Sequence, residues 1–245
     1  MLSFGSELSR YCQTFLRLIY PPFCSICQVP LLLDETYLCV PCRKALPLIH
    51  SHMCLKCAMP LPPYGDKRLL CAPCRYKKVF YDHGFSIARY EEPLKELFRQ
   101  IKFRKKPWLL NIFKPSLHSI SSFDINRYDL VIPVPLDSKR LRERGFNQAE
   151  IIARMLLAGR KGRNTRLFTG LRKTRPTSRQ SQLTREERLK NLKGVFALSR
   201  SQDVHEKEIL LVDDIVTTGS TVTECARLLK EKGAERVDFF SLARS

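Results

Sequence analysis

The sequence predicts an α/β fold: a parallel sheet flanked by helices, preceded by a small segment stapled by metal. Two observations carry the sheet. Residues 208 to 222, EILLVDDIVTTGSTV, set the unbroken apolar run Ile209, Leu210, Leu211 and Val212 ahead of two carboxylates and a small hydroxyl-rich turn. A run without polar alternation is what a parallel strand buried on both faces requires. Residues 129 to 134, DLVIPV, make a second such run, and a helical pattern follows each. The staple is read from four Cys-x-x-Cys pairs, Cys24/Cys27, Cys39/Cys42, Cys54/Cys57 and Cys71/Cys74.

The first stretch combines strand, acidic tip and loop. Asp213 and Asp214 stand at the carboxyl end of their strand, where open α/β sheets bind ligands. Thr217, Thr218, Gly219, Ser220 and Thr221 then supply hydroxyls and one residue free to take a positive φ, directly before the amphipathic run VTECARLLKEKG. The unpaired N–H groups and dipole at such a helix start favour an anion. Asp and Thr clusters also cap helices and solvate loops; the strand before and the helix after favour the ligand reading. LLVDDIVTTGST resembles the phosphoribosyl pyrophosphate (PRPP) signature of type I phosphoribosyltransferases. That resemblance implies that Asp213 and Asp214 hold the ribose hydroxyls, and that Thr217, Thr218, Gly219, Ser220 and Thr221 hold the 5′-phosphate.

A chain of 245 residues is long enough to bury a sizeable core. Its formal charge of +19 points to phosphate-bearing partners: a pyrophosphate substrate, nucleic acid or an acidic membrane face. Residues 1 to 20 carry Glu7, Arg10 and Arg17 and do not read as a signal peptide. No run reaches the ~18 apolar residues of a membrane span. The expectation is a soluble cytoplasmic protein, whose reducing compartment argues against disulfides.

Residues 1 to 21 are expected to hold an amphipathic helix, with Leu8, Tyr11, Cys12, Phe15, Leu16 and Ile19 on one face, ended by Pro21 and Pro22. The opposite face is not markedly basic, which favours packing on the body over lying on a membrane. Residues 22 to 78 contain two copies of a CxxC-loop-CxxC unit, with 11 and 13 residues between the pairs. One pair alone reads as a redox motif or as chance; four at matched spacing make two Cys₄ zinc sites. Four thiolates close the shell, so both zincs are expected to be structural, and they contribute folding energy to a segment too short to bury a core. Sequential ligation is the simpler pairing, and spacing also allows a cross-braced one. His50 and His52 read as surface residues, Cys12 and Cys225 as core.

Residues 79 to 245 form the sheet domain. A strand is expected at 85 to 90, followed by a helix opening at Glu92 and Pro93 with Leu94, Leu97, Phe98 and Ile101 on one face. KFRKKPW, 102 to 108, has two readings: a solvated helix end, or a patch for phosphate contacts and base stacking. After the 129 to 134 strand come Pro135 and Leu136, then Lys139, Arg140, Arg142 and Arg144 within six positions. Cations at a sheet edge suit a pyrophosphate, so Pro135, Leu136, Lys139, Arg140 and Arg144 are the candidate pyrophosphate loop. Gly145 should break that run and Asn147 cap a helix over 149 to 157. Strands at 195 to 198 and 236 to 243, and a helix over 221 to 232 ended by Gly233, complete the pattern.

The paired CxxC ribbons, IPVPL with RLRERGFNQAE, and VDDIVTTGST together resemble the ComF family of competence-associated proteins, a double zinc ribbon joined to a type I phosphoribosyltransferase-like domain. The resemblance runs from about Pro22 to Arg244. It implies a role in DNA uptake, with ribbons and basic loops on single-stranded DNA and partners in an uptake machinery, and Mg²⁺ bound with PRPP. It leaves three readings open: a PRPP-binding DNA-uptake protein, an active phosphoribosyltransferase, or a PRPP sensor without turnover. Residues 160 to 193, rich in Lys and Arg and without apolar periodicity before Leu183, read as a mobile loop. By resemblance this is the catalytic loop that closes over PRPP, with Arg175, Arg179 and Gln182 as its catalytic candidates.

Overall fold

The computed structural model describes residues 20–50, 52–62, 70–76, 79–117, 120, 123–158, 165–175, 194–200 and 202–245. Residues 7 to 19 of the expected helix, Cys12 among them, and Arg179 and Gln182 lie outside them. The chain groups into two compact units, Met1–Pro47 with Glu91–Ile112, and Leu48–Tyr90 with Phe113–Ser245. This grouping puts the two cysteine knuckles in different units.

The second unit is built on a five-stranded parallel sheet. Its strands are β1 (Gly84–Arg89), β2 (Leu130–Pro133), β3 (Arg166–Leu167), β6 (Glu208–Val216) and β7 (Arg236–Arg244), in the spatial order β1-β7-β6-β2-β3. Pairing is parallel throughout, with Val131 opposite Leu210 and Val212 opposite Phe240. Ile209, Leu210, Leu211, Val212, Phe239 and Phe240 are all fully buried, which is why these strands read as continuous apolar runs. Two further strands, β4 (Leu171–Lys173) and β5 (Phe196–Leu198), form a separate antiparallel pair. The strand expected at 195 to 198 therefore exists but belongs to this hairpin rather than to the main sheet.

Helices cover the sheet. In α4 (Ser138–Arg144) Asp137 caps the start and Gly145, at φ 86°, ends it. In α5 (Gln148–Leu157) Asn147 accepts from the Ala149 N–H and Ala149, Ile152, Ala153 and Leu156 are buried. The expected break at Gly145 and cap at Asn147 are both present. The last helix, α6 (Ser220–Glu231), buries Val222, Cys225, Ala226 and Leu229, so Cys225 is a core residue. Along the free edge of β1, Leu48 bridges Ala88 in antiparallel sense and the Ile49 N–H donates to Ile87 O at 2.8 Å.

The first halves of the two knuckles repeat one another at an offset of thirty residues. Cys24 N donates to Val29 O and Gln28 N to Cys24 O; Cys54 N donates to Met59 O and Ala58 N to Cys54 O. Gln28 and Ala58 share a left-handed backbone, φ 60° and 56°. The third cysteine of each knuckle leads into a short helix, α1 (Val40–Lys44) or α2 (Ala72–Tyr76), that carries the fourth. In the first unit Glu35 braces the loop, accepting from Leu32 N at 2.8 Å and Val40 N at 2.6 Å. There α3 (Leu94–Phe103) buries Leu94, Leu97, Phe98 and Ile101, the face its spacing predicts, and Gln100 Nε2 donates to Ser25 O at 2.5 Å.

Candidate ligand site at the switch point of the sheet

The strand order reverses between β2 and β6: β2 is succeeded in the chain by β3 on one side, β6 by β7 on the other. Open parallel sheets bind ligands in the crevice that such a reversal leaves at the carboxyl ends of the strands. Pairing of β6 with β2 ends at Val212, while pairing with β7 continues to Val216 opposite Arg244. The strand is thus four residues longer than its apolar run suggests, because β7 stays alongside after β2 has left. Asp213 and Asp214 sit at that point of departure. Each carboxylate accepts from the next residue's N–H, Asp214 N at 2.9 Å and Ile215 N at 2.8 Å, which fixes the carboxylates while Asp213 stays half-exposed.

Beyond them the chain forms an anion-sized cradle of about 50 Å³, lined by Asp213 and by residues 215 to 222. Gly219 takes φ 75° as the residue before α6. A Cβ there would lie 3.4 Å from the Tyr81 hydroxyl, an ordinary contact, so it is the left-handed turn that calls for glycine. Thr218 Oγ1 and Ser220 Oγ share a hydrogen bond of 2.9 Å. The first helical bond is Thr223 N to Gly219 O, and Ser220 N donates to Thr218 Oγ1 at 3.4 Å, which leaves the Thr221 and Val222 N–H groups outside the helical ladder at the cradle's lining.

The turn that follows β2 is cationic, and the Asp214 charge reaches its Arg144. Pro135 and Leu136 lead from β2 into α4, where Arg140 and Arg144 are half-buried and Lys139 and Arg142 exposed. Asp137, a departure from a purely basic loop, is buried and organises this turn. It accepts from Arg140 N at 2.9 Å and pairs with Arg140 Nε at 3.4 Å and Lys173 Nζ at 3.9 Å. Burial lowers the pKa of Lys173, with Asp137 opposing the shift and Arg140 adding to it. Burial likewise lowers that of Arg144, and the Asp214 carboxylate opposes the shift. Arg144 also donates to Gln148 Oε1 at 2.7 Å.

Arg175 is described and exposed, two residues past Lys173 on the β4 hairpin. Sequence reasoning missed Lys173, Gln148 and Arg244. Lys173 was one cation in a long basic stretch, and only the hairpin makes it special. Arg244 looked like a trailing residue of the last strand, yet it is buried beneath the cradle.

The cysteines form two sequential groups, Cys24, Cys27, Cys39, Cys42 and Cys54, Cys57, Cys71, Cys74, each with its Sγ atoms within 4.8 Å of one another. A tetrahedral zinc with Zn–S near 2.3 Å needs sulfur separations of about 3.8 Å. Cys27 to Cys39 and Cys57 to Cys71 are both 3.6 Å. The donor sets fit zinc, and the pairing is sequential, not cross-braced. Four thiolates fill each shell, so the metal's contribution is structural.

Comparison with known proteins agrees with this geometry. Residues 15–75 match the double zinc ribbon domain and residues 141–245 the phosphoribosyl transferase domain. The chain is 30% identical over 181 residues to Competence protein F of Haemophilus influenzae, covering 71% of this chain and 78% of that one. It is 31% identical over 188 residues to the DNA utilization protein YhgH of Escherichia coli K12, covering 75% and 81%. Competence protein ComFC of Bacillus subtilis is 33% identical over 162 residues, covering 65% and 63%. With a double zinc ribbon, a phosphoribosyltransferase domain and relatives of this likeness along most of its length, the chain belongs to the ComF family of competence proteins.

Proposed function

We propose that this protein binds PRPP at the switch-point crevice and handles single-stranded DNA during uptake. The observation that carries the PRPP reading is the three-part crevice: two carboxylates where β2 leaves β6, the hydroxyl-lined cradle at the start of α6, and the cationic cluster of Arg140, Arg144 and Lys173. Asp213 and Asp214 accept from the ribose hydroxyls. The cradle of Thr217, Thr218, Gly219, Ser220 and Thr221 receives the 5′-phosphate, and Pro135, Leu136, Lys139, Arg140 and Arg144 receive the pyrophosphate. Mg²⁺ bound with PRPP would neutralise part of the pyrophosphate charge.

The role in uptake is supported by relatives named for competence and DNA utilization. In the first unit Phe103 is 77% and Trp108 51% exposed, on a segment with Lys102, Arg104, Lys105 and Lys106. Exposed aromatics among cations suit single-stranded DNA, with bases stacked and phosphates neutralised. No helix among the described residues is long and apolar enough to cross a membrane; we place the protein in the cytoplasm.

A second reading, phosphoribosyl transfer, is favoured by the position of the buried Lys173 beside the candidate pyrophosphate loop. In it the bond from the anomeric carbon to pyrophosphate breaks as a bond to an incoming nitrogen forms. Pyrophosphate leaves with the bonding electron pair on its oxygen, its charge held by Arg140, Arg144 and Lys173, and the nitrogen's proton passes to the departing pyrophosphate or to water. Arg175, Arg179 and Gln182 are the catalytic candidates of this reading.

Calorimetric titration with PRPP and Mg²⁺ tests the site. The native chain should bind, and the Asp213→Asn/Asp214→Asn variant should lose binding while keeping its affinity for single-stranded DNA. Absence of PRPP binding by the native chain overturns the reading. Phe103→Ala with Trp108→Ala should weaken DNA binding by about 1–3 kcal/mol for each base that loses its stack and leave PRPP affinity in place. DNA binding that stays flat from low to physiological salt would rule out a phosphate-contacting interface.

A further inference from the structure

The second zinc knuckle is joined to the residues that open the phosphate cradle most directly through the side chain of Arg244. Arg244, on the last residue of β7, is 6% exposed and makes its hydrogen bonds to backbone carbonyls. Its Nε donates to Cys57 O at 2.8 Å, inside the second knuckle. Its Nη1 donates to Val216 O at 2.9 Å and also to Thr217 O, the two residues that turn β6 into the cradle. A buried guanidinium with a planar fork holds such acceptors in fixed relative positions, which a flexible ammonium does not.

The same knuckle is seated in the second unit's core at three more points. Gly84 N donates to Leu55 O at 3.0 Å. A Cβ on Gly84 would fall 3.1 Å from Lys56 O and 2.4 Å from the Phe239 ring, so the knuckle backbone and the sheet meet with no room for a side chain. Ala58 is fully buried in the core cluster that holds Tyr81 and Phe239. Tyr81 packs edge-on to Phe239, ring centroids 4.9 Å apart, and its hydroxyl faces Gly219. The backbone from Leu55 to Ala58 therefore bears on the cradle by two routes, the Arg244 fork and the Tyr81 ring. That backbone lies between the ligands Cys54 and Cys57 and just past them, and the metal fixes its shape.

We propose that Arg244 is a positioning residue that couples zinc in the Cys54, Cys57, Cys71, Cys74 site to the shape, and hence the phosphate affinity, of the cradle. The coupling rests on the reading of residues 217 to 221 as a phosphate site. With zinc bound, Cys57 O holds the guanidinium where it aligns the carbonyls of Val216 and Thr217. With zinc lost, the fork loses one anchor and the cradle its set geometry. Binding free energies are linked reciprocally, so a phosphate ligand must hold zinc in this knuckle by the factor by which zinc tightens the ligand.

The test uses the full-length zinc-loaded chain carrying Cys27→Ser, which removes a ligand of the first site so that the remaining zinc reports on the second. Zinc transfer to a chromogenic chelator is followed with and without saturating PRPP and Mg²⁺, and separately with ribose 5-phosphate, which probes the cradle without the pyrophosphate. Both ligands should retain zinc by about 5-fold or more, the lower end of typical coupling between sites. Arg244→Gln should abolish the retention, and Arg244→Lys, which keeps the charge without the fork, should restore little of it. A full-length chain with its first site intact serves as the fold control, read by its melting transition. If PRPP binds and zinc release is unchanged, the coupling is wrong and the PRPP site stands. If neither ligand binds, the phosphate-site reading fails and takes the coupling with it. Retention that survives in Arg244→Gln overturns the role of Arg244.

Discussion

The two zinc knuckles share a hydrogen-bond pattern and a left-handed residue at the same place, yet their surroundings differ in kind. The first uses its own Glu35 to brace its loop and meets its unit's helix through Gln100 and Ser25. Its exposed surface carries Phe23, Val29, Leu32, Leu33 and Val40. The second has Ala58 where the first has Gln28, and it buries that methyl in the core cluster that also holds Tyr81 and Phe239. Duplication of a fold element therefore did not duplicate its role. One copy supports a helix and leaves apolar side chains in solvent; the other is a structural member of the ligand domain.

That contrast is best broken at the metal. Cys54→Ser leaves the second site short of a ligand and should abolish the cooperative melting of the sheet unit, since structural zinc supplies on the order of 10 kcal/mol of folding energy. Cys24→Ser should remove one equivalent of zinc and leave that transition in place. Calorimetric melting with zinc stoichiometry checks both, and equal effects would erase the distinction. A smaller effect is expected from Phe239→Ala, which empties the space against Tyr81 and Gly84. It should cost about 3–5 kcal/mol of stability, read by denaturant unfolding, and should loosen zinc in the second knuckle. The smallest is Gln100→Ala, which removes the bond to Ser25 O. About 1 kcal/mol should be lost, confined to the first unit and leaving PRPP affinity unchanged by titration.

Much of this architecture can be read from the residues. Buried parallel strands announce themselves by runs such as Ile209 to Val212, and caps such as Asn147 and breaks such as Gly145 act through local chemistry that a sequence displays. The cysteine spacing likewise displays the metal sites, although the choice of sequential ligation needed the Sγ positions. What stayed hidden depends on neighbours distant in the chain. The extension of β6 to Val216 exists because β7 pairs with it, and no residue between 213 and 216 says so. Asp137 reads as an acidic intrusion in a basic loop until its cap on Arg140 and its pairing with Lys173 are seen. Arg244 and Cys57 lie 187 residues apart, and nothing local in either hints at the other.

The short segment at Leu48 and Ile49, lying along β1, bears on how the chain avoids aggregating. A sheet edge with open N–H and C=O groups invites another molecule to add a strand. Among the described residues one edge is β3, only two residues long, and the other is sheltered by the bridge from Leu48 to Ala88 and the bond from Ile49 to Ile87. A chain trimmed to begin at residue 79 would lose that shelter together with Ala58, exposing a naked β1 edge beside an emptied apolar socket. Such a fragment should self-associate more readily than the full chain, which light scattering of the two at equal concentration checks.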